Sequence, residues 1–155
     1  MYNGLLHLHN LLRWVILLFL ILVLIHHLMG LLRKSPIRKL DKKIALILLI
    51  ASDLSLLVGL YQWISGHLGL KLIQAAGVAE VMKDKVARFF AVEHAVGMII
   101  AIIFIHIGYS FSKKVGDADN HTKAFGWYFL AFLLIMATIP WAFREGIGRA
   151  WFPGM

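Results

Sequence analysis

The sequence predicts an all-α integral membrane protein, an up-and-down four-helix bundle with both termini on the outer (periplasmic) side. Three observations carry that expectation. Of the 155 residues 61% are hydrophobic and mean hydropathy is +0.81, well above the roughly 45–50% apolar share of globular domains. Apolar stretches at 11–32, 44–64, 89–111 and 124–143 each have about the twenty residues that cross a hydrocarbon core of roughly 30 Å. Basic residues are also unevenly shared between the loops. Arg33, Lys34, Arg38, Lys39, Lys42 and Lys43 follow the first stretch, and Lys113, Lys114 and Lys123 follow the third. The opposite side has Lys71, Lys83, Lys85, Arg144 and Arg149. The positive-inside rule then puts both richer loops in the cytoplasm. The length suits one transmembrane domain, residues 1–155.

Each element has its own local reason. The first ten residues contain no Lys or Arg and no small-residue cleavage site, so the first stretch reads as a retained helix rather than a signal peptide. Pro36 and its charged neighbours break the path after it and close a short inner hairpin. The second span ends near Trp63, Gly66, His67 and Gly69, an interfacial tryptophan followed by helix-breaking glycines. In residues 70–86, Leu70, Ile73, Val81 and Met82 interleave with Lys71, Gln74, Glu80, Lys83 and Lys85. That pattern fits either an amphipathic helix on the outer surface or a plain loop. The inner loop holds Asp117 and Asp119 but lacks the remaining ligand spacing of a calcium loop, and reads as solvated. The fourth span ends at Pro140-Trp141, and Trp151 and Phe152 in the tail suit an interface anchor.

Composition also excludes. With no cysteine there is no disulfide, thiolate metal site or thioether-linked haem. The net charge of +8 reads as a topology signal and lipid-headgroup contact, not as nucleic-acid binding.

The candidate chemistry lies in ionisable residues inside the apolar stretches: His26 and His27 in the first, Asp53 in the second, Glu93, His94 and His106 in the third. Charged side chains at such depth cost roughly 2.5–3.5 kcal/mol each on insertion scales, so they usually face a partner, a cavity or a cofactor. Neutral imidazole is a good haem-iron ligand. At 1.5 Å rise per residue, His94 and His106 fall about 9 Å either side of the midplane, and His26 and His27 about 6–8 Å toward the cytoplasm. Depth thus pairs His106 with His27 or His26 at an inner haem. His94 has no histidine at equal depth in the first stretch, where His9 and His7 lie nearer the surface, so the second metal ligand of an outer haem is either His9 or His67, just beyond the second stretch. His9 and His27, eighteen residues apart, share a helix face, whereas His94 and His106 diverge by about 120°. A packed neutral histidine bonded to a backbone carbonyl is the competing account of His94 and His106, and His7, His67 and His121 read as interfacial. Glu93 is expected to pair with Arg13 or Arg88, close to the cofactor. Asp53 has no basic residue at its depth in the sequence and is the clue to proton handling. The small residues Gly97, Ala101 and Gly108 form a seam that reads as close helix packing, with a groove for a flat macrocycle as the alternative.

The opening Gly4-Leu5-Leu6-His7-Leu8-His9-Asn10-Leu11-Leu12-Arg13-Trp14, with Met82-Lys83-Asp84, Arg88-Phe89, Glu93-His94 and Pro140-Trp141, resembles a family of small four-helix bacterial membrane proteins labelled "cytochrome B". The likeness runs along nearly the whole chain and extends remotely to di-haem membrane cytochromes. It implies an outer-side set of His7, His9, Arg13, Arg88, Glu93 and His94. The inner set of His26, His27 and His106 rests on depth alone, and Asp53 falls about where relatives carry a histidine. The expected function is therefore a multi-pass b-type cytochrome of the bacterial inner membrane, holding haem b between histidines and exchanging electrons with quinone or another redox partner. The oligomeric state is left open. The alternatives are a haem-free proton or metal-ion conductor using Asp53, Glu93 and the histidines, or a structural subunit of a membrane complex.

Overall fold

The computed structural model describes residues 2–152, which are helical with no strand. Helix α1 runs Tyr2–Arg33, α2 Lys39–Ser65, α3 Leu70–Ala76, α4 Val78–Lys83, α5 Lys85–Arg88, α6 His94–Ser112 and α7 Asn120–Thr138, with a π-helical turn Phe89–Glu93 joining α5 to α6. Segments Asn3–Arg33, Lys39–Ala76 and Lys85–Ser112 are long and apolar enough to cross a membrane. The fourth predicted span is a helix of 19 residues that falls short by that measure. It opens on Asn120, His121, Thr122 and Lys123, and it stops at Thr138 rather than 143 because Pro140 forces the residue before it into an extended conformation.

α1 packs on α2 and α7, and α6 packs on the same two helices, so α1 and α6 face each other across the diagonal of a four-helix bundle. The two basic loops meet at one end, where Ile37 N–H donates to the Asp117 carbonyl (3.4 Å) and Gly116 N–H to the Ile37 carbonyl (2.9 Å). The first turns of α1 and the tail meet at the other. There Arg13 Nη2 donates to the carbonyls of Trp151 (2.7 Å) and Ala150 (3.2 Å), and Trp14 Nε1 also donates to Trp151 O (2.8 Å). Trp151 and Phe152 stack on Trp14, so these aromatics fasten the tail to α1.

Residues 70–86 resolve the helix-or-loop choice in favour of helix, as α3 and α4 with Gly77 (φ +81°) between them. The left-handed conformation there suits a residue without Cβ. The small-residue seam is helix packing: Gly97 lies against Thr138, and a Cβ on Gly108 would come 2.7 Å from the Tyr128 ring. Leu20, Val23, Leu48, Ala101, Ile105, Tyr128 and Ala131 fill the end of the bundle nearer the basic loops. The opposite end is hollow.

Candidate functional site

That hollow is a cavity of about 530 Å³, within the roughly 300–1,000 Å³ usual for small-molecule sites. His9 and Arg13 of α1, Ser55 and Gln62 of α2, His94 and Met98 of α6 and Phe152 of the tail are on its wall. His7 of α1 is also on the wall, and the closest-set imidazoles, His9 and His94, come from diagonally opposed helices. Their ring centroids are 6.3 Å apart and their planes cross at 82°.

Each ring is anchored by one nitrogen. His94 Nδ1 lies 2.8 Å from the carbonyl oxygen of Thr138. Thr138 ends α7, so its carbonyl is among those a helix leaves without an internal partner. A carbonyl can only accept, so His94 carries its hydrogen on Nδ1 and its Nε2 has a free lone pair. This is the arrangement in which protein-bound imidazoles serve as metal ligands. His9 Nδ1 sits 3.2 Å from Ser55 Oγ, and a Cβ on Gly59 would come within 3.1 Å of the His9 ring. Glycine at that position lets the imidazole lie against α2. Among the described residues neither Nε2 has a hydrogen-bond partner.

The π turn Phe89–Glu93 immediately precedes His94. Such turns are rare and concentrate at functional sites, where the extra residue resets helix register. Here His94 faces the cavity while Glu93 lies outside it, receiving a 2.7 Å hydrogen bond from Arg88 Nε. Of the two partners expected for Glu93, Arg88 is therefore the one it meets. Arg13 serves the tail instead, yet its Nε, like Gln62 Nε2, is buried without a protein partner on the cavity wall.

The predicted inner set is not brought together. His27 engages both nitrogens, Nδ1 with His121 Nδ1 and Nε2 with Ser112 Oγ, each at 2.8 Å, and is fully buried. Ser112 Oγ is in turn 3.1 Å from Tyr128 Oη. His26 Nδ1 lies 2.9 Å from buried Asp41, which Arg38 also binds. His106 stands on the outer surface, with Nε2 2.9 Å from Asp53 Oδ1. The 120° divergence explains this last placement: with His94 turned inward, His106 must leave the bundle axis. Asp53, expected to lack a basic neighbour, has His106.

Four positions that hold these histidines were not singled out from sequence: Ser55, Gly59, Ser112 and Thr138. His121, expected to be interfacial, is 1% exposed and packs its ring against Gly30. The available signal was the pair of isolated glycines, Gly30 and Gly59, in otherwise bulky apolar helices. Glycine there costs about 1 kcal/mol against alanine and usually has a packing reason.

No family model, curated protein or solved structure matches this chain. The likeness to cytochrome-labelled membrane proteins rests on the sequence features alone.

Proposed function

We propose that the chain is a membrane-embedded b-type haem protein that passes electrons to or from a membrane-dissolved carrier of the quinone class, and that His9 and His94 would hold its iron. The observation that carries this reading is the facing imidazole pair. The ring centroids of His9 and His94 lie 6.3 Å apart and, among the described residues, each ring keeps one nitrogen free of protein partners, so these two residues would hold the iron. The cavity wall fits the rest of such a group. It is mostly apolar, and the buried donors on Arg13 and Gln62 suit carboxylates. Held by two histidines, such a group would supply electron transfer rather than chemistry at the metal. The chain's own contribution is to hold two lone pairs in place, keep water out and offset negative charge.

Membrane insertion is supported by the three long apolar helices and by the exposed aliphatic side chains that surround the bundle, among them Leu18, Ile25, Leu57 and Leu133. We read α7 as crossing with its neighbours, and the basic loops as cytoplasmic. One haem is proposed, not two, because His27 has no nitrogen left and His106 faces outward.

The test is an absorption spectrum of the purified protein. After reduction with dithionite, the narrow visible bands of a low-spin bis-histidine haem are expected. Colourless protein from haem-sufficient cells that also takes up no added haemin would reject the reading.

A further inference from the structure

Among the described residues, Asp53 and His106 form the one ionisable pair that stands in mid-helix on the exposed apolar surface of the bundle. Their side chains are 44% and 50% exposed. The other histidines buried in the long helices turn to protein partners: His9 to Ser55, His27 to His121 and Ser112, His94 to the Thr138 carbonyl. Around the exceptional pair the surface is aliphatic. Ile50 and Leu57, three residues before and four after Asp53, and Ile103, three before His106, share its stripe and are exposed. Among the described residues the pair makes a single bond, leaving Asp53 Oδ2 and His106 Nδ1 without partners. In hydrocarbon such groups are expensive, and they normally mark a contact or a pathway.

We propose that the outer face of α2 and α6 is the contact surface of a homodimer, in which the Asp53–His106 pair of one chain lies against the same pair of a second copy about a twofold axis. The argument is charge complementarity. An acceptor beside a donor becomes self-complementary on rotation by 180°, because the carboxylate of each copy then meets the imidazole of the other. In the dimer His106 holds a hydrogen on both nitrogens, Nε2–H donating to Asp53 Oδ1 of its own chain and Nδ1–H to Asp53 Oδ2 of the other, so the groups left over in the monomer are satisfied without any third component. A second copy is the one partner guaranteed to present that pattern at the matching depth. The inference rests on the membrane reading but not on the haem.

The chain has no cysteine, which makes single-cysteine cross-linking unambiguous. In phosphatidylcholine vesicles, Ile103→Cys should form a disulfide-linked dimer on oxidation, whereas Leu133→Cys on the outer face of α7 should not. Asp53→His should weaken association, read by energy transfer between labelled chains, about tenfold or more. The double exchange Asp53→His with His106→Asp restores self-complementarity and should restore the dimer. Asp53→Leu with His106→Leu suits lipid and should leave folded monomers. Absence of the Ile103→Cys cross-link, undiminished association of the Leu/Leu variant, or cross-linking of Ile103→Cys only to a different membrane protein would overturn the proposal. Release of the chain from membranes by alkaline carbonate would overturn the membrane reading itself, a distinct result.

Discussion

The two ends of the bundle put the same residue type to opposite use. At the end near the basic loops, His27 and His121 are sealed among Leu20, Leu48, Ile105 and Tyr128, with every nitrogen of His27 engaged by protein. At the other end, His9 and His94 each have one nitrogen anchored and the other directed to no protein group, beside a cavity of about 530 Å³. The contrast teaches that burial of a histidine does not distinguish a ligand from a packing residue. What distinguishes them is where an unbonded nitrogen lies: His121 Nε2 is sealed against Gly30 without a partner among the described residues, whereas His9 and His94 line an open cavity.

The largest effect expected from breaking this contrast is on the cofactor. His94→Ala should lower haem content at least about tenfold, as loss of even outer-shell support typically costs 10–100-fold in metal affinity. Haem per folded protein, from the pyridine adduct spectrum, checks this. Unchanged haem content and midpoint potential in His94→Gln would remove His94 from the ligand set and leave it as a packing histidine.

His27→Leu should do the reverse, keeping haem while losing stability. It strands His121 Nδ1 and one lone-pair partner of Ser112 in a dry core, at about 1–3 kcal/mol per buried unsatisfied group. Denaturant titration and the visible spectrum of the same sample read the two effects separately. Loss of haem here would mean that the inner histidines take part after all.

The smallest effects come from the two glycines, and they sharpen the contrast most finely. Gly30→Ala drives a methyl into the His121 ring and should cost about 1–3 kcal/mol with no change in haem affinity. Gly59→Ala brings a methyl to 3.1 Å from the His9 ring. Alanine is worth about 0.8–1.0 kcal/mol over glycine inside a helix, so stability should hold or rise slightly while haem affinity falls severalfold. Equal haem affinity in both variants would show that the position of His9 against α2 is not critical.

Much of the molecule was legible beforehand. Residues 70–86 stayed open between helix and loop, and the fourth stretch was read to 143 where the helix ends at Thr138, but helix existence and the three long apolar segments follow from local rules of hydropathy and length. So does depth, because rise per residue is constant along a helix. The outer group of His7, His9, Arg13, Arg88, Glu93 and His94 came instead from the family resemblance, since depth alone gave His94 no partner in the first stretch. The reading of His26, His27 and His106 as an inner set went wrong at the next coordinate, the rotation of each helix about its axis. α1 is apolar on all sides, so nothing in its periodicity says which face turns inward.

Sequence by itself determined that these histidines lie deep in apolar helices, and how far along each one. Only the tertiary structure decided which are free. The packing of α1 across from α6, the exposed carbonyl where α7 ends at Thr138, and the gaps left by Gly30 and Gly59 set the azimuth and the hydrogen-bond partner of each ring. Those are contacts between residues 46, 44 and 94 positions apart in the cases of His9 with Ser55, His94 with Thr138 and His27 with His121. Pairings at that separation are settled by how whole helices pack, since the local chemistry of each histidine is the same at every site.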